Sequence, residues 1–125
     1  MASINIIQGD TMCNKEKLKL VTDDVVKAVL SVTDDVMKII LYGSQARGDN
    51  TEGSDIDILV VLDMPNEKIY PLKKLMWKRT NDISLDRDEV VSLVVSSSNE
   101  YSKMKNTLFY KNVAKDGVEL YGRAK

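Results

Sequence analysis

The chain has 125 residues, of which 43% are apolar and 30% charged, enough for one folded domain with a core. Its 18 basic and 19 acidic residues leave a net charge of −1, which argues against a sequence-independent nucleic-acid binder, since such proteins carry a marked basic excess. It has no histidine and a lone cysteine, Cys13, which excludes an internal disulfide, a cysteine-cluster zinc site and any mechanism run on a histidine of this chain. Chemistry here must rest on carboxylates, hydroxyls, Lys and Arg. No apolar run approaches the ~20 residues of a membrane span. The first residues lack the basic-then-apolar order of a signal peptide, so the cytoplasm is the expected setting and no membrane partner is expected.

Residues 1–13 show no clear period and read as either a tail or an edge segment around Ile4, Ile6 and Ile7. From Asn14 a helix is predicted, because Leu18, Val21, Val25, Ala28 and Val32 recur at helical spacing. Val36–Tyr42 reads as a buried strand ended by Gly43, and Gln45–Gly48 as the first turn of a short helix. After the polar stretch 49–53, Asp55–Leu62 is a second strand dominated by Ile, Leu and Val. A helix is predicted from about Glu67 to Arg79 with Ile69, Leu72 and Met76 inward and Pro71 in its first turn. Asn81–Asp88 reads as a polar turn and Val90–Val95 as a third strand. Ser97-x-x-Glu100 is the pattern of a capping box, opening a last helix with Tyr101, Met104 and Leu108 on one face. Asp116-Gly117 stops that helix, and Val118–Tyr121 closes the chain as a short strand. The expectation is therefore an α/β (α+β) domain over residues 14–125, a small mixed sheet covered by helices.

Two adjoining segments carry the chemistry. Gly43-Ser44 follows a strand and opens a helical turn, where unpaired N–H groups and the dipole favour anions. Glycine lets a phosphate approach the backbone closely, Ser44 adds a hydroxyl donor, and the fork of Arg47 suits phosphate oxygens. Taken alone, this segment more readily fits an ordinary strand-to-helix turn followed by a solvated Arg47 and a helix stop at Gly48. The second segment, Ser54-Asp55-Ile56-Asp57-Ile58, is harder to explain blandly. Aspartate is depleted in strands, and alternation puts Asp55 and Asp57 on one face. Two carboxylates there repel unless a cation lies between them or the face is open to water. Carboxylates beside a turn rich in N–H groups suit a Mg²⁺-bound nucleoside triphosphate. Lys73, Lys74, Lys78 and Arg79 read as the solvated face of the middle helix, and Met76, Trp77, Tyr101 and Phe109 as core more readily than base-stacking residues.

Gly43-Ser44-x-x-Arg47-Gly48 followed by Ser54-Asp55-Ile56-Asp57-Ile58 resembles the signature of the DNA polymerase beta-type nucleotidyltransferase superfamily. The short length resembles its minimal nucleotidyltransferases, including the antitoxin-type members that work beside HEPN-domain proteins. The motif covers residues 41–62, and the element order with Phe109-Tyr110-x-Asn112 and Gly117–Tyr121 extends the likeness. The resemblance implies a polymerase beta-like fold that binds ATP or another nucleoside triphosphate with Mg²⁺, in a two-metal site. It implies that Asp55 and Asp57 are the catalytic metal ligands, and that Gly43, Ser44, Arg47 and Ser54 belong to the nucleotide site. The implied reaction moves a nucleoside monophosphate, AMP from ATP, to a hydroxyl acceptor and releases pyrophosphate.

The sequence departs from the pattern at one place. The family carries a third carboxylate on the next strand, and the position that aligns with it is Ser92, a poor metal ligand and a poor base at pH 7. Asp82, Asp86, Asp88 and Glu89 are nearby acids that stand as substitutes. Two expectations follow. One is a transferase whose acceptor comes from another chain, either a helical HEPN-type partner or a second copy in a homodimer. The other is a catalytically weak or inactive nucleotidyltransferase-fold module that acts by binding its partner.

Overall fold

The computed structural model describes residues 2–51 and 53–123, with side chains from Lys15 onward. Helix α1 spans Ala2–Val32, strand β1 Val36–Tyr42, helix α2 Ser44–Arg47 and strand β2 Ile56–Leu62. A 3-10 turn over Asn66–Lys68 leads into α3, Ile69–Arg87. Then follow β3 (Val91–Ser97), α4 (Ser98–Met104), α5 (Leu108–Asp116) and β4 (Val118–Gly122). The four strands form one mixed sheet in the order β3-β2-β1-β4. Strand β1 runs antiparallel to β2 and β4, and β2 runs parallel to β3. The crossover that a parallel pair demands is supplied here by α3, which lies between β2 and β3 in the chain.

Alternation along the strands gives the sheet two unlike faces. On one, Ile39, Leu41, Ile58 and Val60 pack against Val21, Val25 and Val29 of α1 and Ile69 and Met76 of α3. This is the main core, and the burial of Ile39, Ile58 and Met76 is essentially complete. Truncating such a residue to Ala typically costs about 2–5 kcal/mol. On the other face, Ile40, Leu59 and Val61 meet only Tyr110 and Val113 of α5, flanked by Tyr42, Val94 and Tyr101. This second layer is thinner than the first. Asp57 has the parity of Leu59 and Val61, so it belongs to the α5 side.

Several boundaries differ from the sequence reading. The edge segment or tail expected over residues 1–13 is helical from Ala2, and the side chain of Cys13 lies outside the described residues. The middle helix runs on to Arg87, so Asn81–Asp88 is helix rather than turn, with Asp88 ending it in the left-handed region at φ 56°. Thr80 is buried, and Arg87 donates to Asp24 of α1 at 2.8 Å. Packing on α1 therefore holds a polar stretch helical. Pro71 does sit in the first turn of α3, where its missing N–H has no partner to lose. The last helix is two pieces: α4 ends at Met104, and Thr107 opens α5. Because of the break, Met104 and Leu108 do not share an inward face with Tyr101; both are exposed, Leu108 at 75%. The capping box holds, with Glu100 N–H donating to Ser97 Oγ at 2.9 Å.

Candidate functional site

The site is built where β1 ends. Tyr42, its last residue, is the cross-strand partner of Asp57, and the chain then turns sharply at Gly43, with φ 78° and ψ −159°. That region is essentially reserved for glycine. A second constraint acts at the same residue: a Cβ on Gly43 would stand 2.5 Å from Oδ2 of Asp57. The turn backbone is thus laid directly against the carboxylate. Gly43 O accepts from the N–H groups of Ala46 and Arg47, both at 3.1 Å, and starts α2. Ser44 O accepts from Gly48 N–H at 2.9 Å and from Asp49 N–H at 3.2 Å, and Gly48 closes the turn at φ 82°.

Asp55 lies one residue ahead of β2 and is exposed, whereas Asp57 is partly buried within the strand. Burial, and then the charge of Asp55, push the Asp57 carboxyl above its ordinary value. The charge of Asp55 thus reaches the Asp57 carboxyl. Tyr42 is pushed up to about 12 by burial, then by the charge of Asp57 and by Tyr110.

The other expected site residues occupy varied positions. Arg47 Nε donates to Asp49 Oδ2 at 3.1 Å, and its Nη1 lies 3.8 Å from Asp116 Oδ2 at the end of α5. Its charge is engaged by carboxylates of the following loop and of α5. Ser54 shapes the connecting loop: its Oγ accepts from Thr51 N–H at 2.9 Å, and its carbonyl accepts from Gln45 Nε2 at 3.3 Å. Ser92 is the parallel-strand partner of Asp57, which puts a hydroxyl directly beside that carboxylate. None of the substitute acids joins them. Among the described residues no cluster of three or more carboxylate, Cys or His ligands forms. Asp82 and Asp86 ride on α3 across the sheet, Glu89 pairs with Lys17 at 3.7 Å, and Asp88 ends α3. Tyr42, Gln45 and Asp116 were not singled out from the sequence. Tyr42 had a local signal, its place just before Gly43; the contact of Asp116 with Arg47 spans most of the chain and had none.

Comparisons with known proteins identify the family. The model of the nucleotidyltransferase domain family matches residues 17–120. Two Methanocaldococcus jannaschii proteins that carry the provisional name protein adenylyltransferase are similar to the chain. One is 40% identical over 87 residues, 69% of this chain and 79% of its own length. The other is 35% identical over 88 residues, 70% and 81%. Among solved structures, a provisionally assigned nucleotidyltransferase of Sulfolobus solfataricus superposes with a TM-score of 0.59 at 27% identity, covering 86% of this chain and 82% of that one. A chain of a toxin–antitoxin complex with AMP-PNP gives 0.57 at 22% identity, with 82% and 73% covered. A chain of the tri-AMPylated Shewanella oneidensis HEPN toxin in complex with MNT antitoxin gives 0.54 at 20%, with 85% and 73% covered. These last two share the fold. The chain belongs to the nucleotidyltransferase domain family. Among the described residues, no helix is long and apolar enough to cross a membrane.

Proposed function

We propose that residues 14–125 form one nucleotidyltransferase domain that moves AMP from ATP to a hydroxyl on a partner protein. The observation that carries this reading is the Gly43 turn packed on Asp57, with Asp55 beside it. That arrangement joins an anion-accepting backbone to a carboxylate pair. The names of the two archaeal relatives, and the AMP-PNP and AMPylated complexes among the fold neighbours, favour adenylyl transfer to protein.

The residues fit Mg²⁺, which takes one or two carboxylates and completes its shell with phosphate oxygens and water. Asp55 and Asp57 would hold it, and Mg²⁺ when bound would offset the charge on the triphosphate. The Gly43–Ser44 backbone and the Ser44 hydroxyl hold the β- and γ-phosphates, with Arg47 turning to them from Asp49 and Asp116. Ser54 keeps the loop between turn and carboxylates in place. The acceptor oxygen bonds to the α-phosphorus as the bond to the bridging oxygen breaks. Pyrophosphate takes the electron pair, and the hydroxyl proton passes to solvent. The setting is the cytoplasm, and the acceptor is supplied by a helical HEPN-type partner or by a second copy of the chain.

A second reading keeps the fold and weakens the chemistry. Ser92 beside Asp57 favours it, because no third carboxylate joins the pair among the described residues. In that case the chain is a binding module whose complex survives changes at Asp55 and Asp57. ATP labelled at the α-phosphate decides between them. Label transferred to protein by the wild type, and abolished in Asp57→Asn, supports the transferase. Normal transfer by Asp57→Asn contradicts it, and a partner complex without transfer supports the module.

A further inference from the structure

We propose that Phe109 is the platform on which the base of the nucleoside triphosphate stacks. The inference rests on the nucleotide site proposed above and adds the position of the base to it. With phosphates at Gly43–Ser44 and the carboxylates at Asp55 and Asp57, the base must find an apolar surface on the same side of the sheet. Tyr42, the strand partner of Asp57, lies on that side. The Phe109 ring stands edge-on to Tyr42 with centroids 5.3 Å apart and planes at 85°. It is also edge-on to Tyr110, at 4.9 Å and 81°. Phe109 nevertheless remains 39% exposed.

The other exposed aromatic residues, Tyr70 and Trp77, belong to α3 on the opposite side. Among the described residues, Phe109 is thus the exposed ring on the carboxylates' side. Its T-shaped contacts with Tyr42 and Tyr110 pack it against neighbouring rings, so stacking a base on it orders little that is not already packed. Arg47 Nη1, in the phosphate turn, lies 3.8 Å from Asp116 Oδ2 on the same helix that carries Phe109. A ring with no polar group accepts any base by its π-face.

The test titrates Mg²⁺·ATP and Mg²⁺·tripolyphosphate, which has no base, into wild type, Phe109→Leu and Phe109→Trp. Leucine keeps apolar packing on Tyr42 and removes the ring. The expected result is that Phe109→Leu binds Mg²⁺·ATP about tenfold more weakly, the ordinary worth of a stacked base, and binds tripolyphosphate as the wild type does. Phe109→Trp keeps the ATP affinity. Unchanged ATP affinity in Phe109→Leu overturns the inference. So does an equal loss for both ligands, which would mark Phe109 as packing alone. A wild type that binds neither ligand overturns the nucleotide site itself, and the platform with it.

Discussion

Gly43 and Asp57 meet so closely that there is no space for a methyl group between them: a Cβ on Gly43 would lie 2.5 Å from the Asp57 carboxylate oxygen. The same glycine has a positive φ of 78°. Gly43→Ala is therefore expected to lose on the order of 1–3 kcal/mol from backbone strain alone. It should also displace Asp57 and abolish nucleotide binding. Thermal melting and ATP titration of the variant check both. Wild-type stability with wild-type binding would show that the turn is not held against the carboxylate.

Asp57 gives a pH signature with a definite sign. Burial and the neighbouring Asp55 raise its pKa, so the ionised form is disfavoured in the folded protein. An acid raised in this way lowers stability once ionised. The penalty is absent below the ordinary Asp value of ~3.9 and grows as pH rises through the folded value. Asp57→Asn removes the charge and keeps the shape. At pH 7 without metal it should melt at or above the wild-type temperature, and the difference should shrink as the pH is lowered into the acid range. Melting curves at several pH values test this, and a clear loss of stability at pH 7 would contradict it.

Ser92 pairs with Asp57 across the parallel strands, the register at which the family resemblance expects a third carboxylate. Ser92→Asp is expected to raise transfer of the α-labelled phosphate by tenfold or more. The gain should need Mg²⁺, because a third acid beside Asp57 adds repulsion unless a cation is present. No gain, with the fold intact, would favour the binding-module reading.

The β3–α4 junction offers a test of the fold independent of the site. Buried Ser97 caps α4 by accepting from Glu100 N–H at 2.9 Å. Ser97→Ala should lose about 0.5–2 kcal/mol, measured by denaturant melting, with no effect on nucleotide affinity.

Strand positions were legible because their cause is local. Val36–Tyr42 and the apolar run after Asp57 carry β-branched residues in sequence, and both appear as β1 and β2. The turn was legible because Gly43 marks its place by residue type. The length of α3 was not, because Asn81–Asp88 is polar and is held helical by Thr80 burial and by Arg87 on Asp24, contacts made across the fold. The break between α4 and α5 was also hidden. Lys105 and Asn106 carry no Pro or Gly, and the turn closes through Thr107 N–H on Met104 O at 2.9 Å. In the candidate site, alternation put Asp55 and Asp57 on one face of a strand from Asp55, whereas β2 begins at Ile56 and leaves Asp55 one residue outside it. The engagement of Arg47 with Asp116 depended on how α5 returns to the sheet, which no sequence spacing encodes.

The central claim is a metal-dependent nucleotide site at Asp55 and Asp57, and calorimetric titration of ATP with Mg²⁺ tests it most directly. The wild type should bind saturably, lose binding when Mg²⁺ is withheld, and lose it again in Asp55→Asn/Asp57→Asn with the fold unchanged. Absence of binding in the wild type, or equal binding in the double variant, would contradict the account.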